Sequence, residues 1–370
     1  MKILQLGKFY PIRGGVEKVM EILTDGISAR GIRCDMLCAS FDGKKEMQVI
    51  PINENGRFIV VPTLKKAAGT MLAPKMIGWL RKHAKEYDII HIHHPDPMAA
   101  LALKISGFSG PVALHWHSDI LSQKALLTLY QPLQRWLIRR ADRIVGTTPV
   151  YVKESPWLKD VQDKCTAIPI GIEPMTFDTA RAAEVRNQYP GKTLLLSIGR
   201  LVPYKGYPYL IEAMKRLPDD CHLIIGGTGP LRAQLEARIA AAGLQDRITL
   251  KGWLTDEEVA ACFGACDVFV LPSVMKTEAF GIVQIEAMSC GKPVVATRIP
   301  GSGVAWVNAD GVSGRNATPE DSQSLAEAIR DVLKEKEHYR QGAQQRFTQY
   351  FRKEEMIQKT ILLYDTLKNH

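Results

Sequence analysis

The sequence predicts an α/β protein of two doubly wound domains, each a parallel sheet between layers of helices. The chain has 370 residues, more than one ordinary hydrophobic core holds. Short apolar runs alternate with amphipathic helical patterns, as in repeated βαβ units. The alternation stops at Ala167–Pro174, where two prolines and a glycine indicate a hinge, and then starts again. The cleft between two such domains is the expected ligand site.

The predicted first domain covers residues 1–170. Its strands are expected at Lys2–Leu6, Arg33–Cys38, Phe58–Val61, Tyr87–His93, Val112–Trp116 and Arg143–Thr147. Its helices are expected at Gly15–Arg30, Pro74–Lys85, Pro97–Ser106 and Ser122–Ala141.

The predicted second domain covers residues 171–349. Strands are expected at Thr193–Ile198, His222–Ile225, Ile248–Lys251, Asp267–Leu271 and Pro293–Thr297. Helices are expected at Gly206–Arg216, Leu231–Ala242, Asp256–Ala265, Ile282–Cys290 and Pro319–Lys336, and the stretch Tyr339–Leu367 is expected to be helical throughout.

The composition is that of a soluble globular protein, with 46% hydrophobic and 24% charged residues. No apolar run is long enough to span a membrane, and the N-terminus enters a strand at once instead of resembling a signal peptide. Seven scattered cysteines favour a reduced, cytosolic setting. Residues 1–170 carry 24 Lys+Arg against 15 Asp+Glu, so the whole net charge of +9 lies in the first half. That half is expected to meet an anionic partner.

The stretch Glu278–Glu286 joins an apolar run, expected as a buried strand, to a helix that ends near Gly291. Such a strand-to-helix loop presents backbone N–H groups to an anion. Glu286 would then lie beside that anion and accept hydroxyl hydrogen bonds, as acidic residues do from a ribose. The alternative is a surface helix with two solvated glutamates.

Three further loops follow or precede predicted strands and helices. Arg200 and Lys205 leave the end of one strand together, and a planar fork beside a point charge suits a diphosphate. Gly226–Pro230 is a second glycine-rich strand end, and Gly14-Gly15 opens the first helix. Each glycine pair alone indicates only a turn, and the two cations alone could be solvated.

Histidines cluster at 91–94 and 115–117. The pattern His91-Ile-His93 places two rings on one strand face, but no further ligands follow at familiar metal spacings, so a structural role is favoured. His117 ends a strand and is expected to face the cleft, where it would bond a substrate hydroxyl or orient the reacting sugar.

The pattern of Ser122–Ala141 is amphipathic and mainly indicates a helix whose apolar face packs against the core. Arg139, Arg140 and Arg143 follow its apolar residues, which include Leu126, Leu127 and Leu129. Together with Lys65-Lys66 and Arg81-Lys82-Lys85, this surface would also suit anionic lipid.

Taken together, these pieces resemble the GT-B glycosyltransferases of family 4, the retaining group 1 type, over nearly the whole chain. The matching pieces are Gly14-Gly15-x-Glu17, His117-Ser118-Asp119, Ile198-Gly199-Arg200-Leu201, Lys205-Gly206, Gly226–Pro230, Phe280-Gly281 and the pair Glu278-x7-Glu286. Each is weak alone, whereas their order and spacing are specific. The resemblance implies two Rossmann-like domains facing a central cleft, with the C-terminal helix, residues 350–370, crossing back to the first domain.

The resemblance also implies roles. Arg200 and Lys205 would hold the donor diphosphate as the leaving group, Glu286 the ribose, and Glu278 with the backbone of Ala279–Ile282 the donor sugar. His117 would contact the sugar near the reacting carbon. The implied catalytic residues are His117, Arg200, Lys205 and Glu278, and the implied substrate-binding residues are Gly14, Gly15, Arg200, Lys205, Gly227, Trp253, Leu254, Glu278, Ala279, Phe280, Gly281, Ile282, Val283 and Glu286.

No metal or other cofactor is expected, since the two cations would neutralise the departing phosphate. The likeness to bacterial O-antigen and lipopolysaccharide mannosyltransferases favours GDP-mannose as donor and an undecaprenyl-diphosphate-linked saccharide as acceptor. The expected location is cytoplasmic, peripheral on the inner face of the cell membrane. Alternatives are a UDP-sugar-dependent enzyme of the same family and a sugar-nucleotide epimerase. A metal-dependent hydrolase built on the histidines and a nucleic-acid-binding protein are also considered, although no nucleic-acid module is recognisable.

Overall fold

The computed structural model describes residues 1–43, 45–67, 70–121 and 124–368, without the side chains of residues 124–127. The chain divides into two compact units. The first comprises Met1–Gly171 together with the last helix of the chain, and the second comprises Ile172–Arg352.

The first unit is built on an eight-stranded sheet with the order β10-β9-β8-β7-β1-β2-β4-β3. Neighbouring strands are parallel except for the antiparallel pair β3 and β4. The central strands are buried on both faces, as in parallel sheets covered by helices, and they bury the polar Gln5, His91, His93 and His115 beside their apolar residues. The strands are β1 Lys2–Tyr10, β2 Arg33–Ser40, β3 Gln48–Asn53, β4 Gly56–Val61, β7 Ile89–His94, β8 Val112–Trp116, β9 Arg143–Gly146 and β10 Cys165–Ala167, while β5 Lys65–Ala67 and β6 Thr70–Leu72 form a separate two-stranded ribbon.

The helices of the first unit are α1 Gly15–Ser28, α2 Lys75–His83, α3 Pro97–Ser106, α4 Lys124–Arg140, α5 Pro149–Glu154 and α14 Lys353–Lys368. Local sequence explains where several begin. The side chain of Asp96 accepts a hydrogen bond from the Ala99 N–H at the start of α3, and Pro97 occupies its first turn. Short 3₁₀ turns lie at Ala84–Glu86 and Lys159–Lys164.

The second unit has a six-stranded parallel sheet with the order β13-β12-β11-β14-β15-β16. The order reverses between β11 and β14, and doubly wound sheets bind ligands at the strand ends beside such a reversal. The strands are β11 Thr193–Ile198, β12 Cys221–Gly226, β13 Ile248–Gly252, β14 Val268–Val270, β15 Val294–Thr297 and β16 Gly314–Ala317. The helices are α6 Thr179–Asn187, α7 Tyr207–Met214, α8 Arg232–Ala241, α9 Asp256–Ala265, α10 Ile282–Ser289, α11 Val304–Val307, α12 Ser322–Lys334 and α13 Lys336–Tyr350, with a 3₁₀ turn at Pro203–Lys205.

The predicted doubly wound α/β class is confirmed, and the predicted Val112–Trp116, Thr193–Ile198, Pro97–Ser106 and Asp256–Ala265 match the structure at both ends. The sequence did not predict four strands, namely β3, β16 and the two strands of the ribbon, β5 and β6. The short β10, in the predicted hinge region, was missed as well. The start of the predicted helix at Ser122 lies outside the described residues.

The expectation of one continuous helix over Tyr339–Leu367 is wrong. Helix α13 ends at Tyr350, and α14 begins at Lys353. Phe351, between them, is fully buried, and its ring meets those of Phe280 and Trp306 edge to face at 6.0 Å. Its carbonyl accepts a hydrogen bond from the Ile172 N–H. Burial of this ring and pairing of its carbonyl therefore stabilise a break that local helix propensity does not indicate.

Candidate functional site

The loops after β11 and β14 meet at the reversal point of the second sheet. Lys205 ends the 3₁₀ turn that follows β11, and Gly206 comes next with a φ of 69°. A Cβ atom at Gly206 would lie 1.9 Å from the carbonyl oxygen of Pro272, which follows β14. Only glycine accommodates both this backbone conformation and this approach. The sequence Lys205-Gly206 thus brings a lysine to the end of the neighbouring strand.

Lys205 forms a largely buried ion pair with Glu278. The Nζ to Oε2 distance is 2.6 Å, and the two side chains are only 10% and 12% exposed. Ser273 donates a hydrogen bond to the same Oε2 at 3.0 Å. The hydroxyl of Ser302 donates to the Glu278 carbonyl oxygen. The ammonium and the carboxylate are therefore held in fixed positions, and an anion that binds Lys205 must compete with Glu278.

The segment from Glu278 leads directly into the N-terminus of α10. Gly281 takes a left-handed conformation, with a φ of 73°, as the cap of that helix. The Ala279 carbonyl accepts from the Gly303 N–H, and the Phe280 carbonyl accepts from the Gln284 side chain. The first N–H groups of a helix lack intrahelical partners and attract anions. The expected strand-to-helix arrangement is therefore present, and Ile282 and Val283 form its first turn.

Glu286 lies in the body of α10, as the sequence predicts, and is half-buried. Burial raises the pKa of its carboxyl to about 7, with Asp256 adding to the effect and Lys205 opposing it. Near neutral pH this side chain can therefore accept a hydrogen bond as the carboxylate or donate one as the acid. Both states suit recognition of a hydroxyl group.

Arg200 lies on the same loop as Lys205 but is exposed, and its guanidinium donates to the Tyr204 hydroxyl at 3.2 Å. Gly227 follows β12 and has a φ of 133°. A Cβ atom at Gly227 would lie 2.0 Å from the carbonyl oxygen of Gly199, so glycine is required for the two strand-end loops to touch. The structure thus brings Gly227 beside the loop that carries Arg200.

Trp253 and Leu254, two of the implied substrate-binding residues, come directly after β13. Leu254 is partly buried and contacts the end of β12, where its Cδ1 would lie 2.6 Å from a Cβ at Gly226. Trp253 is 71% exposed. A large ring in that position is available to stack on a ligand, although its exposure alone is common at protein surfaces.

The remaining predicted site residues belong to the first unit. Gly14 caps α1 and Gly15 is its first residue. Glu17 is buried beside this cap, and burial raises the pKa of its carboxyl while the Lys8 ammonium opposes the rise. Gly14 and Glu17 are in contact, because Oε2 of Glu17 lies 2.5 Å from the position that a Cβ atom of Gly14 would occupy. The glutamate of the Gly-Gly-x-Glu motif therefore packs against the first glycine of the same motif.

His117 follows β8 and is only 5% exposed. Its ring stacks on that of His115 with the centroids 4.0 Å apart, and its Nε2 lies 2.9 Å from Nδ1 of His93. Burial lowers the pKa of His117 well below its usual value, so the ring is neutral at physiological pH. The expected strand-end position is found, but its partner His93 was not foreseen as part of the site.

The histidine cluster is better explained by stacking than by metal binding. His91, His93 and His115 offer ring nitrogens that lie within 4.8 Å of one another. However, their rings are stacked, with interplanar angles of 11° to 26°. His93 also uses both ring nitrogens in hydrogen bonds.

Only part of the basic surface of the first unit is available to bind a lipid. Arg140 donates to the carbonyl oxygens of Phe108 and Gly110 and pairs with Asp142, so this arginine stabilises the fold of the first unit. Arg139 is exposed, and Leu129 is 79% exposed on the same helix. The side chains of Leu126 and Leu127 lie outside the described set. Within the described ranges, no helix combines the length and apolar character needed to cross a bilayer.

Two family models match the chain. The model described as Glycosyltransferase Family 4 matches residues 13–175, and the model described as Glycosyl transferases group 1 matches residues 178–353. O-antigen chain mannosyltransferase C of Escherichia coli is 34% identical, over 99% of each chain. D-rhamnosyltransferase WbpZ of Pseudomonas aeruginosa is 30% identical, over 95% of this chain and 92% of that protein.

Solved structures with the same fold cover both units. Anabaena Alr3699/HepE in complex with UDP superposes with a TM-score of 0.78 at 23% identity, over 99% of this chain and all of that one. Sucrose-phosphate synthase from Thermosynechococcus elongatus superposes with a TM-score of 0.81 at 22% identity, over 99% of each chain. At these identities the superpositions bear on the fold alone.

Proposed function

We propose that this chain, which is a GT-B glycosyltransferase of family 4, group 1, transfers mannose from GDP-mannose to a lipid-linked saccharide with retention of configuration. The enzyme is a hexosyltransferase that uses a nucleotide-sugar donor. One observation supports the site most directly: the buried pair of Lys205 and Glu278 lies just before the N-terminus of α10, at the reversal point of the second sheet.

In this proposal the second unit binds the donor. Arg200, Lys205 and the first N–H groups of α10 hold the diphosphate, because all three offer positive charge or donors to an anion. Glu286 accepts from the ribose hydroxyls. Glu278 and the backbone of Ala279–Ile282 bind hydroxyls of the donor sugar.

The chemical step breaks the bond between the anomeric carbon and the diphosphate oxygen. Charge develops on that oxygen as the bond stretches, and the ammonium of Lys205 with the guanidinium of Arg200 stabilises it. The acceptor oxygen attacks the oxocarbenium-like carbon from the same face, and its proton passes to the departing phosphate oxygen. The reaction would then need neither a metal ion nor a pair of carboxylates such as glycosidases use.

The donor and acceptor are proposed from the relatives. A relative 34% identical is named as an O-antigen mannosyltransferase, and another, 28% identical over 88% of this chain, as a phosphatidyl-myo-inositol mannosyltransferase of Mycobacterium leprae. An undecaprenyl-diphosphate-linked saccharide is the proposed acceptor, at the inner face of the cell membrane. The basic first half of the sequence agrees with an anionic lipid acceptor.

One alternative concerns the donor. A UDP-sugar is the alternative to GDP-mannose, and HepE, a neighbour in fold, was solved with UDP. The sugar-nucleotide epimerase considered from the sequence would form product without an acceptor, and the matches to glycosyltransferases disagree with it.

The test is a panel of UDP-sugars and GDP-sugars. Binding is measured by thermal shift, and transfer is measured to GlcNAc linked to undecaprenyl diphosphate. The proposal expects the largest shift and acceptor-dependent transfer with GDP-mannose, and full activity in EDTA. Preference for a UDP-sugar would replace the donor, and product formed from the donor alone would indicate the epimerase.

A further inference from the structure

A chain of hydrogen bonds runs from His117 into the core of the first unit. It reaches the last helix, because Tyr364 lies on α14. Every member is at most 5% exposed. The links are His117 Nε2 to His93 Nδ1 at 2.9 Å, His93 Nε2 to Gln5 Oε1 at 2.8 Å, Gln5 Nε2 to the Tyr364 hydroxyl at 2.9 Å, and that hydroxyl to His91 Nδ1 at 2.5 Å.

The sheet register creates this chain. Gln5 on β1 is paired with His91 on β7, and His93 on β7 is paired with His115 on β8. Side chains at alternate positions of a strand share a face. The rings of His91, His93 and His115 therefore stack on one face of the sheet, and the amide of Gln5 reaches the same row.

The bonding pattern decides where the proton of each imidazole lies. Burial lowers the pKa of both His93 and His117 well below the usual value, so each ring carries one N–H and one lone pair. The amide oxygen of Gln5 only accepts, so Nε2 of His93 carries the proton. Nδ1 of His93 then accepts from His117, whose proton lies on Nε2.

One amide group controls the whole chain. Nε2 of Gln5 faces the Tyr364 hydroxyl and also the Cys34 sulfur, at 3.7 Å, and both can accept a hydrogen bond. Rotation of this amide by half a turn would reverse each bond and move the His117 proton to Nδ1. The nitrogen of His117 that carries the proton is thus determined by the orientation of the Gln5 amide, two hydrogen bonds away.

We propose that Gln5, His93 and Tyr364 are positioning residues that keep the proton of His117 on Nε2, so that Nδ1 offers only a lone pair to a hydroxyl of the substrate. Nδ1 has no hydrogen-bond partner among the described residues. The inference rests on the proposed function, with His117 near the donor sugar as the resemblance to family 4 implies. A sugar that lacks the hydroxyl in question would leave this lone pair unpaired and react more slowly.

The experiment uses the full chain with ¹⁵N-labelled histidine. Nitrogen chemical shifts distinguish a protonated from an unprotonated ring nitrogen, and replacement of single histidines assigns the signals. The proposal expects His117 to show a protonated Nε2 and a bare Nδ1. A protonated Nδ1 in the wild-type protein would overturn it.

Two substitutions at one position separate positioning from packing. His93→Asn keeps an acceptor oxygen near the place of Nδ1, whereas His93→Leu removes it at similar volume. We expect His93→Asn to retain the His117 signal and most of the transfer rate. His93→Leu should give mixed tautomers and a kcat lower by about tenfold, the effect of one lost hydrogen bond, with nucleoside diphosphate binding unchanged. Equal kcat in the two variants would refute the role of His93.

Tyr364→Phe removes the hydroxyl that accepts from the Gln5 amide and keeps the side chains of His93 and Gln5. It should give a mixture of His117 tautomers, and an unchanged single tautomer would refute the role of Tyr364. If the wild-type protein binds no nucleotide sugar, the proposed function fails, while the nitrogen shifts still test the tautomer.

Discussion

Replacing Glu278 by glutamine should affect binding and turnover in opposite directions. In the folded protein the Glu278 carboxylate lies 2.6 Å from the Lys205 ammonium, and both side chains are largely buried. With an effective dielectric constant of about 20, this attraction is on the order of 6 kcal/mol before desolvation. A diphosphate that binds Lys205 must replace part of it. Glu278→Gln removes the competing charge and keeps a hydrogen-bond acceptor for Ser273.

We expect a free nucleoside diphosphate to bind Glu278→Gln at least about tenfold more tightly, a gain of about 1.4 kcal/mol. Transfer should fall at least about a hundredfold, because the donor sugar loses a charged hydrogen-bond acceptor. The free energy of unfolding should fall by about 3 to 5 kcal/mol relative to the parent, since a buried ammonium loses its charged partner. Titration calorimetry, initial rates and urea unfolding measure the three effects.

The matched control is Glu257→Gln, which removes the charge of an exposed pair with Arg181 in the same unit. Binding and transfer should both stay at the parent level, because exposed pairs contribute little. Weaker or unchanged nucleoside diphosphate binding in Glu278→Gln would refute the competition for Lys205. Parental transfer in that variant would refute the role of Glu278.

Three other predictions follow from single features. Lys205→Ala should lower transfer at least about a hundredfold and weaken nucleoside diphosphate binding, with circular dichroism unchanged; parental turnover would contradict the site. Acidification should destabilise the protein as the pH falls below about 6.5, because burial lowers the pKa of His91, His93 and His117, so that the unfolded chain binds protons that the folded protein does not. The free energy of unfolding should fall by up to about 1.4 kcal/mol per pH unit for each ring. An unchanged free energy between pH 7 and 5 in urea unfolding would contradict this. Arg139→Gln should weaken association with anionic vesicles at low salt, with Lys334→Gln in the second unit as control; equal binding of the three proteins in flotation assays would remove the membrane proposal.

The sequence predicted the strand ends, loops and helix of the proposed donor site because each of these parts is local. A strand that ends before Gly-Arg, and a loop that enters a helix at Gly281, are properties of neighbouring residues. Chain order also predicts which strand ends meet in a doubly wound sheet. The pairing of Lys205 with Glu278 is a tertiary contact that no local pattern states, and it changes the interpretation of both residues, since each is the other's partner before a ligand binds.

The histidine network is beyond sequence reasoning for a related reason. Gln5 and Tyr364 are 359 residues apart, and they meet because α14 returns to pack in the first unit. The break at Phe351 likewise depends on aromatic partners from distant segments. A signal was present in the alternation of His91 and His93 on one strand, but it indicates a shared face and not the identity of the partners.

The most direct measurement is a crystal structure of the protein with the nucleotide sugar that gives the largest thermal shift. We expect diphosphate oxygens within hydrogen-bond distance of the Arg200 guanidinium, the Lys205 ammonium and the first N–H groups of α10, with a ribose hydroxyl on Glu286. A diphosphate bound away from Lys205 and from the start of α10 would refute the proposed donor site.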